Sequence, residues 1–156
     1  MYSYSSVLPG VSRYDDKNWL IPYGIEEVTV GEEPDAVQQY RYQHLLTGHR
    51  PSDDDIKAEI AGQLCVDVNA YINTHYDPGT QQTLQALMIM DTVPQGVKDN
   101  IVTIWPWIQS ALGYYYGKKA EVLGVEDPKL VTWDFSQFDA TKPAVTLAGI
   151  MTALAA

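Results

Sequence analysis

The sequence predicts an α+β chain that is mainly α in its centre, with a three-helix core over residues 53–123 between extended, strand- and turn-rich arms at 1–52 and 124–156. Three observations carry this reading. Pro9, Pro22, Pro34 and Pro51 leave little room for a long helix in the first stretch, because proline lacks an amide N–H and clashes with the preceding turn. From Ile56 onward apolar residues recur every fourth position, which builds one stripe along a helix. After Gly124 that period gives way to alternation and then to a loop-like composition.

In the first arm, residues 24–31 place Val28 and Val30 among polar neighbours between two glycines, the pattern of a half-exposed strand, with a hairpin partner around 39–45. The first helix is predicted over 53–76. Ser52 is its cap, and Asp53, Asp54 and Asp55 suit the partial positive charge of the first-turn amides. Its stripe is Ile56, Ile60, Leu64, Val68 and Ile72, and it stops before Asp77-Pro78-Gly79. A second helix is predicted over 80–91, burying Leu84, Leu87 and Met88. The third runs over 94–123, and its stripe is Val97, Ile101, Ile104, Trp105, Ile108, Leu112, Tyr115, Lys119 and Val122. Its register continues past Pro106, so the expectation is one kinked helix in which the Val102 carbonyl loses its usual donor. Residues 129–135 read as a strand and 136–143 as a loop. Residues 146–155 read either as a last short helix or as an apolar arm that another chain covers.

A chain of 156 residues has the size of one domain. Ten basic against twenty acidic residues give a net charge of −10, which repels phosphate backbones, so no nucleic-acid partner is expected. Cys65 is the only cysteine, which excludes a disulfide within the chain and a cysteine-based zinc site. The first residues lack a basic and apolar leader pattern, and the longest apolar stretch, 144–156, is too short to span a bilayer, so the chain is expected to fold in a cytoplasm without membrane insertion.

No nucleotide-binding, metalloprotease or hydrolase motif occurs. His44, His49 and His75 lack the spacing of a metal site, and Cys65 on an apolar helix face reads as a small packing residue. No cofactor, metal or catalytic residue is therefore expected. The unusual features are aromatic. Successive helix residues point about 100° apart, so Tyr114, Tyr115 and Tyr116 cannot all face one core. With Trp105 and Trp107 they either pack against the N-terminal region of the same chain or contact another subunit; a carbohydrate platform is a lesser reading. The arms add Tyr2, Tyr4, Tyr14, Trp19, Tyr23, Trp133, Phe135 and Phe138, so the expected interface set is these eight with Trp107, Tyr114 and Tyr116.

His75-Tyr76-Asp77-Pro78 followed by Gln81, Gln82, Thr83, Leu84 and Leu87, then Trp107-Ile108, the three tyrosines, and the tail from Asp134 to Thr146 together resemble small proteins and terminal domains encoded in the tail-gene regions of tailed bacteriophages. The likeness covers about residues 56–150, and Asp77 stands where that pattern more usually has proline directly after the tyrosine. The resemblance implies a virion structural component of the tail, baseplate or tail-fibre attachment. It would be made in the host cytoplasm, touch other tail proteins and copies of itself, and have no enzymatic activity. A tail-fibre assembly chaperone is the alternative, and a small cytoplasmic enzyme the third.

Overall fold

A computed structural model describes residues 1–156, and the chain is α+β. Strands β1 (Ser3–Ser5), β2 (Ser12–Arg13), β3 (Trp19–Val30) and β4 (Val37–Thr47) form one antiparallel sheet in the order β1-β4-β3-β2. Helices α1 (Asp53–His75), α2 (Pro78–Ile89), α3 (Gln95–Val102), α4 (Ile104–Gly124) and α5 (Leu147–Ala155) follow, with 3₁₀ turns at Pro128–Leu130 and Ser136–Thr141 before α5. The chain divides into two compact units that cut across the three consecutive stretches expected from sequence. The first comprises Met1–Cys65 with Gly117–Trp133, and the second Val66–Tyr116 with Asp134–Ala156.

In the first unit β3 and β4 pair from Trp19↔Thr47 to Val30↔Val37. The expected strand at 24–31 is thus the end of a longer one, and its partner reaches beyond 39–45. The register shifts between Tyr23 and Glu26, where Gly24 has φ +57°; two residues of β3 there face Tyr42 alone, the count of a β-bulge. Pro22 brings no N–H to a ladder, and the pairing of β2 stops at Leu20, two residues before it. The core of this unit joins Ile21 and Tyr23 of the sheet to Ile56, Ile60 and Ala61 of α1, Val122 of α4 and Val131. The first 52 residues are therefore a folded sheet with a packed face, where extended structure without a core of its own was expected.

Helix α1 begins at Ser52 as predicted, and the cap is reciprocal, which the sequence reading did not include. The Ser52 hydroxyl accepts from the Asp55 amide at 3.2 Å, and the Asp55 carboxylate accepts from the Ser52 amide at 2.8 Å. In the second unit Asp77 caps α2 by accepting from the Thr80 amide at 3.0 Å, with Pro78 in the first turn where its missing N–H costs nothing. Within this unit α2 lies against α3, and α3 against α5. Its buried side chains include Val68, Ile72, Tyr76, Leu84, Ile101, Trp107, Ile108, Phe135 and Ile150.

Two expectations are corrected. The single kinked helix over 94–123 is two helices, broken at Thr103. Pro106 has no amide to offer the Val102 carbonyl, and the Thr103 hydroxyl and amide both turn back to the Asn100 carbonyl, at 2.7 and 3.3 Å. The strand expected at 129–135 does not form. Pro128–Leu130 is a 3₁₀ turn capped by Asp127, and the following residues join no ladder. Their alternation is nonetheless real, since Val131 and Phe135 are buried and Trp133 is half-buried. Period two here records packing, not pairing. At 147–155, where a helix or a partner-covered arm was open, a helix forms. Of the eight residues expected to pack the three helices together, Ile60, Leu64, Val68, Leu84, Ile101 and Ile108 are buried, and Leu87 and Leu112 are half-buried. They are shared between the two units.

Candidate functional site

The aromatic residues singled out by sequence fall into two groups. In the first unit Tyr2, Tyr4 and Tyr14 are 47%, 54% and 55% exposed, beside the exposed apolar residues Met1, Val7 and Leu8 of the same segment. They are held in place by specific contacts. Tyr4 sits opposite Arg41 in the β1–β4 ladder, and the Arg41 guanidinium lies 4.6 Å from the centre of the Tyr2 ring. Arg41 is also paired with Glu26, which raises its pKa, while its Nε is buried without a partner. Tyr14 stacks on His44, and the guanidinium groups of Arg13 and Arg50 lie 5.5 and 5.6 Å from the centre of the Trp19 ring. The turn carrying Tyr14 is tied by Asp15, whose carboxylate accepts from the Lys17 and Asn18 amides at 2.7 Å each and is held below the usual carboxylate range by the Asn18 side chain and these amides.

This surface has a second property that comes from the backbone. The edge strands β1 and β2 cover only Tyr40–Tyr42 of β4 and Trp19–Leu20 of β3. The long central strands therefore keep stretches of edge that no strand of this chain pairs, most of all toward Val30 and Val37.

The other expected interface residues are largely internal, which corrects the sequence reading for them. Tyr23, Trp107 and Phe135 are 5%, 4% and 6% exposed and offer no surface to a partner. Trp19, Tyr114, Trp133 and Phe138 are half-buried, and only Tyr116 among the helical aromatics is open, at 63%. Trp133 stacks on Tyr23 with ring centres 5.7 Å apart. In the second unit Tyr114 packs edge-on against Phe135 and Phe138, and its hydroxyl accepts from the Asp134 amide at 3.2 Å. The Trp107 indole N–H donates to the Phe138 carbonyl at 2.9 Å. Residues 134–138 supply the cover, so the helical aromatics of this unit meet the C-terminal segment, where the N-terminal region or another subunit was expected.

Sequence reasoning did not single out the polar strap of this second unit. Tyr71 and His75 lie one turn apart on α1. The Tyr71 hydroxyl donates to Asp139 at 2.6 Å, and His75 Nε2 lies 3.6 Å from the same oxygen. Burial, then the Asp139 carboxylate, raises the Tyr71 pKa, so the phenol remains a donor across the physiological range. Tyr76 is 1% exposed and donates to the carbonyls of Pro143 and Val145 at 3.1 and 2.9 Å, with Lys142 above its ring. The spacing of Tyr71 and His75 was legible as one helix face, but their partner lies 64 positions beyond His75 and leaves no local signal. Chemically these groups tie down residues 136–146. Nowhere do three His, Cys, Asp or Glu side chains come together as a metal site would require.

The segment pinned by Tyr76 forms one wall of a cavity of about 620 Å³. Val97, Asn100 and Thr103 of α3 face it from one side, and residues 141–153 from the other, ending with Ile150 and Ala153 of α5. No charged side chain lines it. No helix of the chain is long and apolar enough to cross a membrane. No protein-family model, curated protein or solved structure matches the chain, so the reading of its function rests on its own residues.

Proposed function

We propose that the chain is a structural component of a tailed-bacteriophage virion, in the tail, baseplate or tail-fibre attachment, and that it acts by protein–protein assembly without catalysis. The observation that carries this reading is the N-terminal segment, where Tyr2, Tyr4, Val7 and Leu8 stand exposed at the β1 edge of the sheet, with Tyr14 exposed beside His44 on its other face. Tyrosine buries large area at low entropic cost and keeps a polar handle, which is why it concentrates in interfaces. The short edge strands support the same reading, because unpaired strand edges can accept a strand from a neighbour. The resemblance of residues 56–150 to tail-region proteins supplies the setting. Its partners are other tail proteins and copies of itself, with no nucleic acid bound, and it enters the virion after synthesis in the host cytoplasm.

The test is a mass-spectrometric inventory of purified particles, followed by Tyr4→Ser with Leu8→Ser. Neither of these side chains has a ring contact or belongs to the buried core. Fixed stoichiometry in particles, and loss of incorporation in the double variant while the circular dichroism spectrum is unchanged, are expected. A chain present with fibre proteins in lysates and absent from particles is an assembly chaperone, and that result would overturn the structural role.

A further inference from the structure

Beyond assembly, and independently of it, we propose that the cavity between α3 and the 141–153 segment is a binding site for an uncharged small molecule with an apolar body and one amide-like polar group. Its volume, about 620 Å³, falls within the roughly 300–1,000 Å³ of small-molecule sites. Its walls are Val97, Val145, Ile150 and Ala153, with alanine, proline and glycine between them.

The polar groups on those walls decide what fits. The Thr103 hydroxyl is committed to the Asn100 carbonyl at 2.7 Å, and the Thr141 hydroxyl to the Phe138 carbonyl at 3.2 Å. The Thr146 hydroxyl accepts from the Gly149 amide at 3.0 Å as the cap of α5. The carbonyls of Pro143 and Val145 share the Tyr76 hydroxyl proton, and that of Pro143 also accepts from Lys142 at 3.5 Å. The Thr146 hydroxyl keeps its own proton and those of Thr103 and Thr141 keep a lone pair, but of the polar side chains here only the Asn100 carboxamide makes no hydrogen bond within the chain and can donate and accept at once.

No Asp, Glu, Lys, Arg or His lines the site, in a chain of net charge −10. An ion in it would exchange part of its hydration for neutral groups alone, whereas a neutral molecule has less hydration to lose and finds an amide partner in Asn100. The wall is also set in advance. Tyr76 is buried and its hydroxyl holds the segment at the carbonyls of Pro143 and Val145, so a ligand need not order that segment.

The test uses three probes of similar size, acetanilide (neutral), phenylacetate (anionic) and benzylammonium (cationic), titrated against the full chain with amide shifts followed by NMR. Acetanilide is expected to saturate shifts at Val97, Asn100, Val145 and Ile150, and the two ions to bind at least about tenfold more weakly. Ala153→Phe, which fills the cavity from an exposed position of α5, is expected to abolish the acetanilide shifts. Asn100→Asp, also at an exposed position, keeps the shape and is expected to reverse the order of acetanilide and benzylammonium. Equal binding of the three probes, saturation elsewhere, no saturation by acetanilide, or an unchanged order in Asn100→Asp would overturn the proposal.

Discussion

The Ser52–Asp55 pair shows how far single residues were legible. A serine followed by three aspartates, ahead of an apolar run, announced a helix start, and the structure adds reciprocal hydrogen bonds between Ser52 and Asp55. Ser52→Ala is expected to cost about 0.5–2 kcal/mol in urea unfolding, the range for losing such a cap. Asp15, Asp55 and Asp77 all titrate below the ordinary carboxylate value, each because side-chain and backbone hydrogen bonds favour the ionised form. Their stabilisation is complete above the unfolded value of 3.8 and disappears as pH falls through the lower folded values. A chain with all three changed to Asn is expected to be less stable at neutral pH and to lose less stability between pH 4 and pH 2, measured by urea midpoints. Tyr76 illustrates what single residues conceal. It entered the sequence reading only as part of a resemblance, because its two carbonyl partners lie more than 60 positions away. Tyr76→Phe would remove the donor of the Val145 carbonyl and leave the Pro143 carbonyl only the long bond from Lys142, and a loss of about 1–3 kcal/mol is expected, with faster amide exchange over 143–150.

Elements were recovered where their signal was local. α1 and α2 begin at side-chain caps and end near where their stripes end, so their bounds differ from expectation by one or two residues. The failures occurred where one pattern has two physical causes. An apolar period that runs through Pro106 says that both sides face inward, and says nothing about whether the backbone bonds continue. Pro106→Ala restores a donor for the Val102 carbonyl, and the far-ultraviolet helical signal is expected to rise as Thr103 joins α3 to α4. Retention of the break would place its cause in the Thr103–Asn100 bonds instead. The residues after Leu130 alternate because Val131 and Phe135 are buried, yet a strand is defined by a ladder and these residues pair with none of β1–β4. Within the elements, Leu64→Ala and Ile108→Ala are each expected to cost about 2–5 kcal/mol, because both side chains are buried and long enough to leave a cavity.

At the scale of the molecule, the order of elements was readable and their grouping was not. Composition divided the chain into three consecutive stretches, but each compact unit draws on two separated ones. Periodicity reports which face of a segment is covered and not by what, so the burial of Ile56 and Ile60 gave no hint that Ile21, Val122 and Val131 are their neighbours. The exposed tyrosines of the candidate surface were nameable, whereas the cavity, made of small residues and backbone brought together by α3 and the C-terminal segment, has no linear signature. A fragment of residues 1–52 is accordingly expected to show the collapsed amide dispersion of an unfolded chain in NMR. It holds the sheet but lacks the α1, α4 and Val131 side chains that close its core.

That discontinuity also sets a timetable for biosynthesis. Residues 1–65 leave the ribosome long before Val122 and Val131 exist, and the core they share cannot close until Val131 is made, 66 residues after position 65. At about 5–20 residues per second this is a wait of roughly 3–13 s, with Ile21, Tyr23, Ile56 and Ile60 lacking their final cover. Over that interval the nascent chain presents apolar strands and a partly completed helix to whatever surrounds it. A nascent-chain handler, or slow translation between residues 66 and 116, would therefore change the yield of folded protein without altering its final stability.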